Sequence, residues 1–139
     1  MVSDIHTASP SGGEPRWPAP RAAKFRQAAF VYLHVAILYE GAAYVMAGQG
    51  ILPSRFGSPV LWMLAGAVVA GLVFVGIYRW QNEWFTRVIW VVHGLRLPAL
   101  IRGAFFAEAG ARTAPDFYVA ALVVVVVNLW MLARAGWDL

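Results

Sequence analysis

Four long apolar segments constrain the fold of this chain more than any other feature of its sequence. They cover residues 27–48, 58–78, 84–107 and 116–134, and the second segment contains no charged residue. A helix needs about 17–25 mostly apolar residues to cross the hydrocarbon core of a bilayer. In lipid a helix satisfies its own backbone hydrogen bonds, whereas strands would need a closed barrel. The pattern therefore predicts an all-α integral membrane protein with four transmembrane helices.

The overall composition points to the same class. The chain is 60% hydrophobic and only 13% charged over its 139 residues, whereas soluble domains carry about 25% charged residues. A soluble domain of this size could not bury that much apolar surface, because small domains bury only part of what they expose. Composition thus excludes a soluble globular protein and a disordered one.

A basic tail rich in Pro, Gly and Ser precedes the first apolar segment. Residues 1–24 show no helical or alternating apolar period, and prolines stand at positions 10, 15, 18 and 20. Such composition is typical of an extended or disordered chain. We expect a tail over residues 1–24 and a four-helix transmembrane domain over residues 25–135.

Short connectors and the distribution of basic residues predict the topology. Short loops join neighbouring antiparallel helices, which gives an up-down-up-down bundle. Lysine and arginine favour the cytoplasmic side of a membrane, and more of them lie on the N-terminal side (Arg16, Arg21, Lys24, Arg26, Arg79 and Arg134) than on the other side (Arg55 and Arg112). We therefore expect both termini in the cytoplasm and the bundle in the cytoplasmic (inner) membrane of a bacterium.

The residues needed for most enzymatic chemistry are missing from the sequence. The chain has no cysteine, which excludes disulfides, thiolate zinc sites and cysteine nucleophiles. It also has no metalloprotease, paired-carboxylate or phosphate-binding glycine motif. We predict neither an enzyme nor a metal site. The basic balance suits an anionic membrane surface, and no pattern for nucleic-acid recognition is present.

Small residues in the second apolar segment predict a helix-packing face. Gly66 and Ala70, and likewise Ala67 and Gly71, are spaced four residues apart. Such pairs let two helix backbones approach closely in lipid. Either a neighbouring helix of the same chain or a second subunit would fit this face.

Ionisable residues inside the apolar segments are the main candidates for a functional site, because each costs at least about 2.5 kcal/mol in the bilayer core. Glu40 lies between Arg96 and Arg102 in predicted depth, so we expect an intramembrane ion pair with either one. At 100° per residue His93 and Arg96 share one side of the third helix, which we expect to face the interior, and Pro98 is expected to kink this helix. The pair would serve either structure or proton-coupled transport.

Two histidines suggest a second kind of site. His34 and His93 lie at similar predicted depths in the first and third segments. Imidazoles on two helices can together ligate one haem iron, or each can hold a chlorophyll magnesium, although a neutral histidine can equally hydrogen-bond between helices. The histidines therefore leave haem b or chlorophyll open as a cofactor, while the sequence firmly indicates none.

These observations lead to three functional hypotheses. The first is a non-catalytic accessory or assembly subunit that docks on other membrane subunits of a larger complex, such as an energy-transducing one. The second is a proton-coupled small-molecule transporter that uses Glu40. The third is a haem or chlorophyll carrier that uses His34 and His93.

Overall fold

The computed structural model describes residues 17–51, 58–106 and 115–139. Within these ranges the chain is helical apart from short connectors, and no strand occurs. Its elements are α1 (Ala19–Gly48), α2 (Pro59–Val75), a π-helical turn that continues α2 (Gly76–Trp80), α3 (Glu83–Gly94), α4 (Leu97–Phe105) and α5 (Pro115–Trp137).

Within the described ranges, four helical stretches are long and apolar enough to cross a membrane. They are Ala19–Gly48, Val60–Trp80, Glu83–Phe105 and Pro115–Trp137. The second stretch combines α2 with the π-helical turn, and the third combines α3 with α4. The expected all-α class and the four membrane-length helices are confirmed.

Helix α1 begins inside the segment that we expected to be an unstructured tail. Its N-cap is Pro18, and Pro20 occupies the second helical position. Proline suits the first turn of a helix, because the missing N–H would have no intrahelical acceptor there and the fixed φ angle is already helical. The expectation was therefore wrong for residues 19–24, while residues 1–16 lie outside the described ranges.

The third apolar segment consists of two helices instead of one. α3 ends at Gly94, a turn follows at Leu95 and Arg96, and α4 starts at Leu97. Pro98 stands at the second position of α4. Because proline has no backbone N–H, it cannot donate a hydrogen bond to a carbonyl group of the preceding turn. The expected interruption by Pro98 is confirmed.

The core of the bundle lies along α1 and α5. α1 packs against α2 and α5, and α5 also packs against α3 and α4. Most side chains at the centre are small or aliphatic, which allows the helix axes to approach closely. The buried cluster comprises Phe25, Ala28, Ala29, Tyr32, Ala70, Ile77, Leu132 and Ala135.

Large apolar side chains remain exposed on every helix. In water a surface of this kind would drive association, whereas lipid chains solvate it. Examples from α1 to α5 are Leu38, Leu72, Val91, Ile101 and Val123. The distribution fits a bundle whose outer surface meets acyl chains.

The two predicted small-residue pairs lie in different environments. Ala70 is buried in the core, and a side chain at Gly66 would clash with the Glu40 carboxyl group. In contrast, Ala67 is exposed, and a Cβ at Gly71 would meet no atom within 4 Å. The Gly66/Ala70 pair therefore lies at the contact between α1 and α2, and the Ala67/Gly71 pair lies outside it.

Candidate functional site

Ion pairs join the start of α1, the start of α3 and the end of α5, and we call this group the terminal clasp. Arg21 Nη2 lies 2.9 Å from Glu83 Oε2. Lys24 Nζ donates to Asp138 Oδ1 at 3.0 Å and to the Leu139 carbonyl oxygen at 2.7 Å. These contacts fix three helix ends against one another.

Arg87 extends the terminal clasp from α3 to α5. Its Nη2 lies 3.3 Å from Glu83 Oε2, and its Nε donates to the Gly136 carbonyl oxygen at 2.9 Å. The guanidinium also lies 5.2 Å from the ring centroid of Trp137. The four-residue spacing between Glu83 and Arg87 is a known helical pairing signal, which our sequence analysis did not use.

The terminal clasp lowers the pKa of the Asp138 carboxyl group. The hydrogen bond from Lys24 holds the pKa of Asp138 below its ordinary value of 3.8, and the charges of Lys24 and Arg21 act in the same direction. A donor that binds the ionised form favours that form. Asp138 is therefore a charged partner of Lys24 at neutral pH.

A second group of polar side chains lies within the membrane-length helices, and we call it the intramembrane cluster: Tyr32, Tyr39, Glu40, His93 and Arg96. The rings of Tyr32 and His93 pack edge to face with centroids 5.2 Å apart. The Arg96 guanidinium lies 4.6 Å from the ring centroid of Tyr39. The third membrane-length stretch therefore meets α1 at two points of this cluster, through Arg96 on Tyr39 and through His93 on Tyr32.

Glu40 points from α1 toward α2. Its carboxyl group occupies the space beside Gly66 that a side chain would fill, and its Oε2 is buried without a hydrogen-bond partner in the described residues. Among these residues no lysine or arginine nitrogen lies within 4.0 Å of the carboxylate. The ion pair of Glu40 with Arg96 or Arg102 stays a prediction.

The predicted interior position is confirmed for His93 and wrong for Arg96. His93 is 6% exposed, whereas Arg96 and Arg102 are both exposed. Helical periodicity would place His93 and Arg96 on one side only if the helix were continuous, and the turn at Leu95 and Arg96 breaks it. This break directs Arg96 to the surface of the bundle.

Two buried polar side chains lack hydrogen-bond partners inside the described ranges. Asn128 of α5 is 0% exposed, and neither its Oδ1 nor its Nδ2 is bonded. The same holds for Nδ1 of His93. Each unsatisfied buried polar atom lowers the free energy of unfolding by about 1–3 kcal/mol. Asn128 and His93 are therefore costly polar side chains in a mostly apolar core.

The two candidate ligand histidines lie in different environments. His34 is exposed on α1, and its Nδ1 lies 2.7 Å from the carbonyl oxygen of Phe30. His93 is buried and meets Tyr32 instead of His34. The structure thus does not bring the two imidazoles together, and tetrapyrrole ligation stays a prediction for each one separately.

The described ranges hold no group of three or more His, Cys, Asp or Glu side chains that could bind a metal ion. Comparison with protein-family models, with curated proteins and with solved structures finds no match to this chain. Among the described residues, the candidate functional groups are the intramembrane cluster, the terminal clasp and the exposed imidazole of His34.

Proposed function

We propose that this chain is a non-catalytic accessory or assembly subunit of a larger membrane complex. The observation that carries the proposal is the position of Arg96, which is exposed at the break between α3 and α4 in the third membrane-length stretch. Arg96 lies nine residues beyond Arg87 of the terminal clasp, which corresponds to roughly 13 Å along a helix. It is therefore far from the end of the bundle that holds the clasp.

The charge of Arg96 calls for a partner beyond this chain. A guanidinium remains protonated in proteins, and an arginine at the centre of a membrane helix costs about 2.5–3.5 kcal/mol even on insertion scales. Within the described ranges its guanidinium lies over the ring of Tyr39, and no carboxylate oxygen lies within 4.0 Å of it. A carboxylate or carbonyl group of a neighbouring membrane subunit would complete its coordination.

The proposed orientation follows from the basic residues and the terminal clasp. Lys24 of α1 contacts Asp138 and Leu139, which agrees with an up-down-up-down bundle that returns the chain to its starting side. Basic residues are concentrated on that side, so the positive-inside rule favours cytoplasmic termini in a bacterial inner membrane.

Site-specific cross-linking in native membranes tests this proposal. A photoreactive amino acid at position 95, beside Arg96, samples the neighbouring subunit, and the same probe at position 72 on α2 serves as the control. Leu95 and Leu72 are 74% and 67% exposed, respectively. We expect the probe at position 95 to give a product of one defined mass that contains a second protein.

The variant Arg96→Gln should lower the yield of that product at least about tenfold, which corresponds to 1.4 kcal/mol. Arg102→Gln is the matched control, because it removes an exposed arginine of α4 and should leave the yield unchanged. A product that contains only a second copy of this chain, or equal yields from wild type and Arg96→Gln, would contradict the proposal.

Proton-coupled transport is a second candidate, and the buried Oε2 of Glu40 favours it. A carboxyl group with a buried oxygen that has no hydrogen-bond partner among the described residues is a group that can exchange a proton during transport. Proteoliposomes with an imposed pH gradient would then lose it faster when a coupled solute is added. Glu40→Gln should abolish this effect, while Asp116→Asn should retain it. No solute-dependent loss of the gradient in a broad solute panel would contradict this candidate.

A further inference from the structure

His34 lies on the side of α1 that faces away from the core. At 100° per residue its direction is opposite to that of Phe25 and within 20° of opposite to Tyr32, and both of these residues are buried. His34 stands eight residues beyond Arg26, which is about 12 Å along the helix. An imidazole is thus directed outward from an apolar helix at a depth where lipid offers it no hydrogen-bond donor.

The hydrogen bond to Phe30 determines which nitrogen of His34 is free. A carbonyl oxygen only accepts hydrogen bonds, so the contact of 2.7 Å requires Nδ1 to carry the proton. In the neutral imidazole the other nitrogen, Nε2, then presents a lone pair. Metal-binding histidines use this arrangement, in which one ring nitrogen donates to a backbone carbonyl and the other ligates the metal.

A single protein ligand limits the kind of metal group that can bind. The described residues contain no cluster of three His, Cys, Asp or Glu side chains, so a bare ion would lack ligands at this position. A metallotetrapyrrole brings four nitrogen ligands of its own and needs only an axial one. We propose that His34 is the axial ligand of a metallotetrapyrrole bound on the outer surface of α1.

The surface around His34 suits a flat, apolar macrocycle. Leu38 lies one helical turn above it and is exposed, whereas Phe30, one turn below, is half-exposed and packs edge to face against two aromatic rings of the second membrane-length stretch. Gly41 lies about two turns above on the same side, and a Cβ there would meet nothing within 4 Å. Gln27, about two turns below, is exposed toward the end of the helix that carries Arg26, and it offers a polar group to the polar edge of a macrocycle.

His93 does not supply a second axial ligand in this arrangement. Its ring is buried against Tyr32, while His34 faces outward, so one macrocycle cannot contact both imidazoles. The bound metal would therefore have five ligands, four from the macrocycle and one from His34. This geometry distinguishes the proposed site from a clamp of two histidines on one iron.

Titration of the purified chain in lipid nanodiscs with zinc protoporphyrin tests the proposal, because zinc in this ring takes one axial ligand. We expect saturable binding of one porphyrin per chain, with a red shift of the Soret band. His34→Ala should weaken the affinity at least about tenfold, and added imidazole should restore the shift. Tyr44→Ala, which removes another exposed ring from α1, is the matched control and should bind as the wild type does. Iron and magnesium protoporphyrin, titrated in parallel, distinguish a haem-type from a chlorophyll-type preference.

Several outcomes would overturn the site. They are equal affinities for wild type and His34→Ala, absence of saturable binding with all three metals, or a six-ligand iron spectrum that His93→Ala abolishes. Metal-free protoporphyrin controls for partition into lipid and should show no dependence on His34. The site lies on a different helix from Arg96, so its failure would leave the cross-linking test of the proposed complex unaffected.

Discussion

The terminal clasp and the intramembrane cluster contain similar residue types but use them differently. In the clasp the carboxylate of Glu83 has a guanidinium nitrogen of Arg21 at 2.9 Å and one of Arg87 at 3.3 Å. In the cluster the Glu40 carboxylate has no basic nitrogen within 4.0 Å among the described residues, and Arg96 instead contacts the ring of Tyr39. Within the described ranges the Glu83 carboxylate is therefore paired with two arginines, whereas Glu40 and Arg96 have no oppositely charged group within 4.0 Å.

The energetics of the two regions explain this difference. At the helix ends an ion pair gives up little hydration, so each contributes only a few tenths to one kcal/mol, and a connected group contributes more. Deeper in the bundle the loss of hydration is larger and can exceed the attraction between the charges. Polar groups at that depth are therefore more often retained for function than for stability. The following predictions test this division, in order of decreasing expected effect.

The first prediction concerns the close contact between Glu40 and Gly66. Gly66→Leu should lower the free energy of unfolding by about 1–3 kcal/mol, because the new side chain overlaps the Glu40 carboxyl group. Gly71→Leu is the matched control, since it meets open space and should change stability by less than about 0.5 kcal/mol. SDS titration in mixed micelles, followed by tryptophan fluorescence, measures both values.

A double variant separates this contact from general damage to α2. Glu40→Ala should recover most of the loss in Gly66→Leu, because it removes the group that overlaps the leucine. A Gly66→Leu variant that is no less stable than Gly71→Leu, or a double variant with no recovery, would place the Glu40 carboxyl group elsewhere.

The second prediction breaks the terminal clasp. Glu83→Gln removes the charge that Arg21 and Arg87 share, and it should cost about 1–2 kcal/mol of unfolding free energy, above the range of an isolated surface pair. The same SDS titration detects this change. Asp116→Asn, at the start of α5, should cost less than about 0.5 kcal/mol. Equal effects of the two substitutions would mean that the clasp does not stabilise the bundle.

The third prediction concerns the unsatisfied amide of Asn128. Replacement by leucine, which has a similar shape, should leave the unfolding free energy unchanged or raise it by about 1 kcal/mol, because no hydrogen bond within the described ranges is lost. A loss of more than 1 kcal/mol in the SDS titration would show that Asn128 has a polar partner. In that case a buried polar side chain of α5 would contribute to stability as the clasp does.

The smallest effect is a pH dependence from Asp138. Its pKa in the folded chain is lowered from 3.8, chiefly by the hydrogen bond from Lys24. The contribution to stability is therefore present above pH 3.8 and is lost as the pH falls through the lowered pKa. Unfolding measured across this acidic window should show a smaller slope in Asp138→Asn than in the wild type. Identical slopes would rule out the contribution of this carboxylate.

Three residues show which features of this protein the sequence patterns predicted and which they did not. The apolar segments predicted four membrane-length helices, and Pro98 predicted the interruption of the third one, because both features act through the local backbone. The interior position of Arg96 was wrong, since it assumed a helix without the turn at Leu95 and Arg96. The role of Gly66 was only partly foreseen, because its spacing predicted close packing but not the carboxyl group that fills the space.

The sequence by itself determined that this chain forms helices long and apolar enough to cross a membrane, because apolar length and backbone hydrogen bonding in lipid leave few other solutions. Only the tertiary structure decided which polar groups meet. It paired Glu83 with Arg21, left Arg96 exposed, and turned His34 away from His93. The physical reason is that such contacts join residues far apart in the chain, and their geometry depends on helix rotation and breaks that local periodicity does not encode.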